Sequence, residues 1–336
     1  MPHRVGEALA LGFRGTSVPA WLREFEARHG LGGVILFDQS IRPRTPGRNI
    51  TSPPQVKALC TELAALPSRP LVLVDQEGGR VRRLKESLGF APLPSAQAFA
   101  ALGPEERLRL ARASLEELAA LGIHYDLAPV VDLDYNPANP DIGAHGRSYS
   151  ADPAVARACV EAMDTAARAA NVGLCLKHYP GLGGATVNSH EQVTDLSDTI
   201  RDEQLELFYD LGGRVHGTAI LVSHGHVKQW DPVLPATLSP AILGALRERL
   251  PDVLLISDDV QMQGLQRTHS TADALRQGLA AGLDLLIVGN NLVDEEQTSL
   301  ALAESLQQAV AGDPRLAERL REASDRVQSR KRLLRR

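Results

Sequence analysis

Residues 174–190 read LCLKHYPGLGGATVNSH, and the architecture of the chain can be worked out from this segment. Its first three residues are apolar, as expected for a buried strand. Lys177 and His178 follow directly, and then comes a loop that contains three glycines and ends at His190. Glycines permit turns that other residues resist, and loops on a rigid scaffold often carry functional groups. The segment therefore indicates a buried strand with an active-site loop at its carboxyl end.

The same pattern recurs along the 336-residue chain. Short aliphatic runs alternate with longer segments of helical spacing, which is typical of parallel βα units. Eight strands are predicted, the number that a closed (β/α)8 barrel needs. They are Leu9 to Phe13, Val34 to Phe37, Leu71 to Val74, Tyr125 to Val131, Leu174 to Lys177, Ala219 to Ser223, Val253 to Ser257 and Leu285 to Val288.

Two of the intervening helices have clear signals of their own. Apolar residues recur at three- and four-residue steps between Leu108 and Leu118, which gives a stripe that can lie on a barrel, and Gly122 ends that helix. Ser239 supplies an N-cap before Pro240, a residue preset for the first helical turn. The pair predicts a helix from Ala241 to Leu250.

Polar side chains follow five of the predicted strands. In a (β/α) barrel the carboxyl ends of the strands meet on one face, so residues far apart in sequence line one pocket. Because polar residues follow the carboxyl end of each of five strands, we predict a single (β/α)8 TIM-type barrel domain over residues 1–336. The polar residues are Asp75, Asp132, Lys177 with His178, Ser223 with His224, and Asp258 with Asp259.

Composition narrows the possible partners. The formal net charge of -5 gives no reason to expect a nucleic-acid partner, and the basic end from Arg326 to Arg336 suits a solvated final helix. Three widely spaced cysteines suggest neither disulfides nor a zinc site. The apolar run from Ala8 to Phe13 is too short to cross a membrane. We expect a cytoplasmic protein, a monomer or weak oligomer, without a membrane partner.

The chain also resembles a family, the single-domain bacterial β-N-acetylglucosaminidases of glycoside hydrolase family 3. The likeness covers nearly the whole chain and depends on the order and spacing of several motifs. These are GGVILF at 32–37, VDQEGGRV at 74–81, APVVD at 128–132, GRS at 146–148, KHYPG at 177–181, SH at 189–190 and ISDDVQM at 256–262.

The resemblance implies a retaining double displacement, in which a carboxylate attacks the anomeric carbon and water releases the glycosyl-enzyme. Asp258 occupies the nucleophile position, and its neighbour Asp259 is the rival, although a helix-capping role suits Asp259 better. His190 falls on the position of the acid/base, where an imidazole that titrates near neutrality is suitable.

The chain departs from the family pattern in the loop before His190. The family usually has Asp-Ser-His, whereas this chain has Asn188, which can orient the imidazole but carries no charge to stabilise its cation. Leu182 and Gly184 replace a His and an Asp that relatives often have. Asn188 is therefore a candidate catalytic residue in a more weakly tuned acid, with Glu191 or Asp195 as possible compensating groups.

Four further residues match substrate-binding positions of the family. Asp75 can accept hydrogen bonds from sugar hydroxyls, while Arg147, Lys177 and His178 can donate to hydroxyls or to the N-acyl group. The alternative for Asp75 and Arg147 is a structural ion pair with each other. The segment from Glu77 to Arg80 is interpreted as a turn with an internal salt bridge and no role in the chemistry.

These observations predict a retaining exo-β-N-acetylglucosaminidase that removes terminal β-linked N-acetylglucosamine from cell-wall fragments, with no metal or organic cofactor. One alternative is a β-N-acetylglucosaminide phosphorylase on the same scaffold, because an acid/base without negative charge lets phosphate approach. Another is a catalytically impaired sugar-binding protein, as Asn188, Leu182 and Gly184 suggest. Metal binding by His178, His190, His224 or His226 is disfavoured, since no HExxH pattern is present.

Overall fold

Eight strands, each buried along its whole length, form the centre of the fold. The computed structural model describes residues 4–41, 45–189, 192–292 and 296–335, without the side chain of Gln297. All eight predicted strands are present, with ends that differ by a few residues. They are β1 (Leu9–Leu11), β2 (Gly33–Leu36), β3 (Leu71–Val74), β4 (Tyr125–Asp126), β5 (Gly173–Tyr179), β6 (Ala219–Val222), β7 (Leu254–Ser257) and β8 (Leu286–Val288).

The strands close into a barrel. Neighbours follow in chain order around the sheet, and each pairs in parallel with the next. Leu9 on β1 lies opposite Leu286 on β8, and a parallel bridge between Ile256 and Leu285 connects β7 to the segment leading into β8. The predicted (β/α)8 TIM-type barrel is confirmed.

Helices connect successive strands and cover the barrel, as parallel crossovers require. In the described part of the chain, no helix has the length and apolar content needed to cross a membrane. The helices are α1 (Ala20–His29), α2 (Pro53–Ala64), α3 (Ala96–Ala100), α4 (Pro104–Leu121), α5 (Pro153–Ala170), α6 (Asp202–Gly212), α7 (Pro240–Arg249), α8 (Gln263–Gln266), α9 (Thr271–Ala281), α10 (Ser299–Gly312) and α11 (Pro314–Leu333).

Two apolar clusters hold these layers together. Successive side chains of a strand point to opposite faces, so Leu71 and Leu73 belong to the cluster inside the barrel. Val72 and Val74 belong to the larger cluster between the strands and the helices. Tyr125 lies in the inner cluster. The barrel interior is therefore a packed core rather than a pore.

Local signals set several element ends as predicted. The Ser239 hydroxyl accepts from the backbone N of Ile242 at 3.2 Å, and Pro240 begins α7. Gly122 ends α4 with a φ of 90°, a conformation that favours glycine. In the predicted stripe of α4, Leu118 is buried and Leu108 is half-buried. The helix lies on the barrel as expected.

The fourth strand is shorter than predicted. Regular pairing stops at Asp126, although Val130 forms one further bridge with Lys177. Pro129 lies between these two points and has no N–H to donate to a ladder. The prediction of a continuous strand from Tyr125 to Val131 was wrong because the apolar run contains this proline.

Candidate active site

A pocket opens at the carboxyl end of the barrel, and its enclosed and solvent-open space together is about 750 Å³. Among the predicted site residues, Asp75, Arg147, Lys177, His178 and Asp258 all line it. The remaining described lining residues are Ile35, Phe37, Ile41, Glu77, Val81, Arg83, Leu127, Leu221, Asp259, Met262, Ile287, Asn291 and Leu292. The structure therefore brings together five residues from four separate segments of the chain, two of them on β5.

Lys177 lies at the centre of the charged side of the pocket. Its Nζ is 2.8 Å from Asp75 Oδ1 and 2.7 Å from Glu77 Oε1. Burial disfavours the ammonium ion, but the two carboxylates outweigh that effect and raise the pKa of Lys177 above its ordinary value. The lysine is therefore a fixed cation at neutral pH.

Arg147 pairs with Glu77 rather than with Asp75. Its Nε and Nη2 lie 2.8 Å from Glu77 Oε2 and Oε1 respectively. Burial favours the neutral acid, yet the charges of Arg147 and Lys177 prevail and lower the pKa of Glu77 to about 2. The alternative of an Asp75–Arg147 ion pair was wrong, because Asp75 has other cationic partners.

The prediction for the segment from Glu77 to Arg80 was wrong in part. It does form a turn, between the short strands Gln76–Gly78 and Val81–Arg82. The salt bridge inside that turn is absent from the described contacts, and Arg80 instead contacts His145 Nδ1 at 3.2 Å. Glu77 lines the pocket and pairs there with Arg147 and Lys177, whereas the sequence reasoning assigned it no role beyond its own turn. Its partners, Arg147 and Lys177, come from distant parts of the sequence, so the residue spacing within the turn does not predict them.

Arg83 is a further pocket residue that the sequence reasoning missed. Its Nη2 lies 3.1 Å from Asp75 Oδ2, and its guanidinium stacks over the ring of Phe37 at 5.5 Å. Burial raises the pKa of Asp75, but Lys177 and Arg83 reverse that effect and hold it well below its usual range. The chain folds back after the short strand Val81–Arg82 and brings Arg83 to Asp75 at the end of β3.

His178 is oriented by a buried carboxylate. Asp132 Oδ2 lies 2.7 Å from Nδ1 of the imidazole, and both Asp132 oxygens accept from the backbone N of His178 at 3.2 Å. Nδ1 thus acts as the donor toward Asp132, and Nε2, 3.4 Å from Arg147 Nη2, faces the cluster. Asp132, one of the predicted strand-end residues, supports the pocket without lining it.

Asp258 and Asp259 follow β7 and have different environments. The backbone N of Asp258 donates to Val222 O at 2.9 Å, and its Oδ1 accepts from Asp259 N at 2.8 Å. Asp259 Oδ1 accepts from the backbone N atoms of Gln261 and Gly289, at 3.0 and 3.2 Å. Burial raises the pKa of Asp259 to about 7. The helix-capping role expected of Asp259 was wrong, because the N-cap of α8 is Met262 and Asp259 instead binds backbone N atoms of the turn before that helix and of Gly289.

His224 supports the same turn from β6. Its Nε2 lies 2.9 Å from the carbonyl oxygen of Asp259, and its Nδ1 lies 2.7 Å from the hydroxyl of Thr237. His226 pairs through its backbone with Thr194. Both histidines therefore bind neighbouring loops. Across the described residues, no group of three His, Cys, Asp or Glu side chains is arranged to hold a metal ion.

The loop after β5 carries the other predicted catalytic residues. His190 and Glu191 lie outside the described residues, so their placement stays a prediction. Asn188 is half-buried, and its backbone carbonyl accepts from Gln192 N at 3.0 Å. Asn188 is absent from the described pocket lining. Asp195 binds Lys228 Nζ at 2.6 Å.

The two residues that depart from the family pattern have structural roles in this loop. Leu182 is buried and donates its backbone N to Asp132 Oδ1 at 2.8 Å. At Gly184, an added Cβ would lie 2.7 Å from the side chain of Thr199. Leu182 therefore binds the segment after β4, and Gly184 packs against a later part of its own loop.

A barrel whose carboxyl-end pocket combines an acidic side chain after β7 with a paired cluster of Asp, Glu, Lys and Arg has the architecture of a (β/α)8-barrel enzyme. Residues 16–329 match the glycosyl hydrolase family 3 N terminal domain. The chain belongs to this family and is a glycoside hydrolase.

Known relatives agree with this assignment. The Beta-hexosaminidase of Pseudomonas aeruginosa is 33% identical over 321 residues, covering 94% of this chain and 90% of the relative. That of Methylococcus capsulatus is 31% identical, covering 86% and 83%. The crystal structure of Beta-N-acetylhexosaminidase from Beutenbergia cavernae superposes with a TM-score of 0.83 at 27% identity, covering 97% of this chain and 96% of that one.

Proposed function

We propose that this protein is a retaining exo-β-N-acetylglucosaminidase that removes terminal β-linked N-acetylglucosamine from cell-wall fragments in the cytoplasm. One observation carries the proposal: Asp258 lines the same pocket as the cluster formed by Asp75, Lys177 and Arg147. The curated relatives named Beta-hexosaminidase support the class of sugar. The proposal treats residues 1–336 as one barrel domain and requires no metal or organic cofactor.

Asp258 is the proposed nucleophile. Its backbone is anchored to β6 through Val222, and its Oδ1 accepts from Asp259 N, so the carboxylate has a restricted orientation. We assign attack on the anomeric carbon to the other oxygen, Oδ2. The C1–Oδ2 bond forms as the C1–aglycone bond breaks, and water then cleaves the ester to give the β-sugar. Stiff placement of a nucleophile favours this step.

The charged side of the pocket is assigned to the sugar hydroxyls. Asp75 is held ionised by Lys177 and Arg83, so it is an acceptor for two hydroxyl donors. Arg147 and Lys177 are the proposed donors, and Nε2 of His178, whose Nδ1 donates to Asp132, is the proposed acceptor for a hydroxyl. Each Lys or Arg in the described lining is already paired with a carboxylate, so the pocket has no spare cation for an anionic sugar. The arrangement suits a neutral glycosyl residue.

His190 is the proposed acid/base, oriented with the help of Asn188. Protonated imidazole gives its proton to the leaving oxygen, and neutral imidazole later takes one from the attacking water. This assignment rests on the family resemblance and on the position of the loop after β5. Asn188 provides an amide oxygen where the family has a carboxylate, and a slower or more acid-shifted enzyme is expected.

Release of nitrophenol from 4-nitrophenyl N-acetyl-β-D-glucosaminide tests the proposal directly. The wild-type protein should hydrolyse this substrate, and Asp258→Ala should lower kcat by about 10⁴-fold or more. Asp252→Ala is the matched control, because Asp252 is exposed and precedes the same strand at its other end. Wild type that binds N-acetylglucosamine without turnover would overturn the proposal and favour an impaired sugar-binding protein.

Phosphate in the same assay separates hydrolysis from phosphorolysis. We expect free N-acetylglucosamine to remain the product, because the paired cations of the pocket leave no evident partner for a phosphate dianion. Phosphate-dependent formation of N-acetylglucosamine 1-phosphate would instead establish the phosphorylase.

A further inference from the structure

The connection between β4 and α5 holds the loop that follows β5 through amide side chains. Asn136 Nδ2 donates to the carbonyl oxygen of Ala185 at 3.0 Å. Asn139 Nδ2 donates to that of Leu182 at 2.6 Å. The two bonds fasten the loop at two separate points, so its course depends on a neighbouring connection as well as on its own sequence.

Asp141, in the same connection, also binds this loop through its side chain. Its side chain is buried, and its Oδ2 accepts from the backbone N of Ser189 at 2.6 Å. A hydrogen bond to an ionised acceptor is stronger than one between neutral groups. Asn139 Oδ1 in turn accepts from Asp141 N at 2.8 Å, which fixes the backbone of Asp141. Ser189 is therefore held by a charged group whose own position is fixed.

The same aspartate also contacts the pocket. Arg147 Nη1 donates to the backbone carbonyl of Asp141 at 2.8 Å. Asp141 therefore binds Arg147 with its main chain and Ser189 with its carboxylate. The chain that directly precedes His190 and the arginine that pairs with Glu77 share one anchor.

A second contact locates Ser189 against the nucleophile segment. Gly264 lies in α8, a few residues after Asp258, and a Cβ added to it would lie 2.9 Å from Ser189 O and 2.6 Å from Gln192 O. Only a glycine permits so close an approach of the two backbones. Ser189 thus lies between the anchor at Asp141 on one side and the segment after β7 on the other.

We propose that Asp141 is a positioning residue, which fixes the backbone of Ser189, directly before His190, relative to the sugar-binding Arg147. The inference rests on the proposed function of His190 as acid/base. Proton transfer requires close heavy-atom approach, and a displacement of about 1 Å costs up to about 100-fold in rate. Loss of the Asp141 carboxylate should therefore reduce catalysis more than sugar binding.

The test compares Asp141→Ala, Asp141→Asn and a matched control. D141A should lower kcat about 10-fold or more while KM changes less than about 3-fold, because Arg147 binds the main chain of Asp141. D141N should recover most of the rate, since its amide oxygen can still accept from Ser189. Asp152→Ala should behave as wild type, because Asp152 caps α5 through Ala154 N in the same connection.

Hydrogen exchange gives a readout that is independent of turnover. The Ser189 amide should exchange faster in D141A than in wild type or D152A. The inference would be overturned if D141A kept the wild-type kcat and the wild-type exchange rate of Ser189. It would also be overturned if kcat fell and KM rose by equal factors and D141N restored neither. Should D141A not fold, Asp141→Ser replaces it. An inactive wild type refutes the proposed function, whereas unchanged exchange of Ser189 refutes the anchor.

Discussion

Arg147 and Glu77 are 70 positions apart in the sequence and meet in a two-point ion pair, with both N–O distances at 2.8 Å. Glu77 also contacts Lys177 at 2.7 Å, so one buried carboxylate pairs with two cations. The pair explains why Arg147 is available to the pocket in a single orientation. It also makes Glu77 the residue on which the charged side of the pocket depends.

Glu77→Gln should destabilise the protein strongly. Removal of one partner leaves two buried cations with too little compensating charge, and breaking such a pair costs about 3–5 kcal/mol. Urea denaturation measures the change in the free energy of unfolding. Glu86→Gln is the control in the same hairpin region, because its partner Arg82 forms a pair in which Glu86 is 54% exposed, and its loss should cost about 1 kcal/mol or less. Equal effects of the two variants would contradict a buried-pair role for Glu77.

Asp259 should make stability fall as the pH rises. The folded protein keeps this proton up to about pH 7, whereas an unfolded Asp releases it near pH 4. The folded state therefore binds more protons between these pH values, and the free energy of unfolding decreases across that window. Asp259→Asn keeps an oxygen for Gln261 N and Gly289 N but does not titrate.

Denaturation at several pH values checks this prediction. The Asn variant should show a flatter profile between about pH 4 and 7, while the exposed Asp252→Asn should follow wild type. Parallel profiles for wild type and Asp259→Asn would refute a proton held at this position.

Asp284→Asn should affect stability without affecting the pocket. Asp284 is fully buried just before β8, at the opposite end of the barrel from Asp258, and binds Arg247 and Arg319 at 2.6 Å and Arg326 at 3.3 Å. Loss of its charge should cost about 3–5 kcal/mol, because three guanidinium groups lose their shared partner. Thermal unfolding measures the loss.

KM at a permissive temperature should stay at the wild-type value in the Asp284 variant. Asp273→Asn is the control, since Asp273 is 53% exposed and only 3.9 Å from Arg276. A changed KM with little change in unfolding temperature would show that Asp284 acts on the pocket instead.

Asn188→Asp should shift the pH dependence of catalysis. A carboxylate two residues before His190 restores the family pattern and favours the imidazolium form. The alkaline limb of kcat/KM for the nitrophenyl substrate should therefore move to higher pH, and Asn188→Ala should lower the rate without that shift. Coincident pH profiles for wild type and Asn188→Asp would separate Asn188 from the acid/base function.

Hydrophobic periodicity by itself was sufficient to predict the barrel and the residues at its carboxyl end. Each strand is a short apolar run bounded by turn residues, and a polar residue after such a run must lie at a strand end. Asp75, Lys177, His178 and Asp258 were placed correctly on this basis, and Ser239 predicted the start of α7. These are local signals, because they depend on residues within one or two turns of each other.

Only the tertiary structure decided which charges meet. Glu77 was excluded and Arg83 was missed because their partners, Arg147 and Asp75, are brought to them by loops whose course has no periodic signal. The anchoring of Ser189 by Asp141 has the same origin. Burial strengthens whichever opposite charges the folded loops place in contact, so the pairs are a property of three-dimensional proximity and of the low-dielectric pocket. The sequence determined the barrel and its catalytic face, while packing of the loops determined the electrostatic network within it.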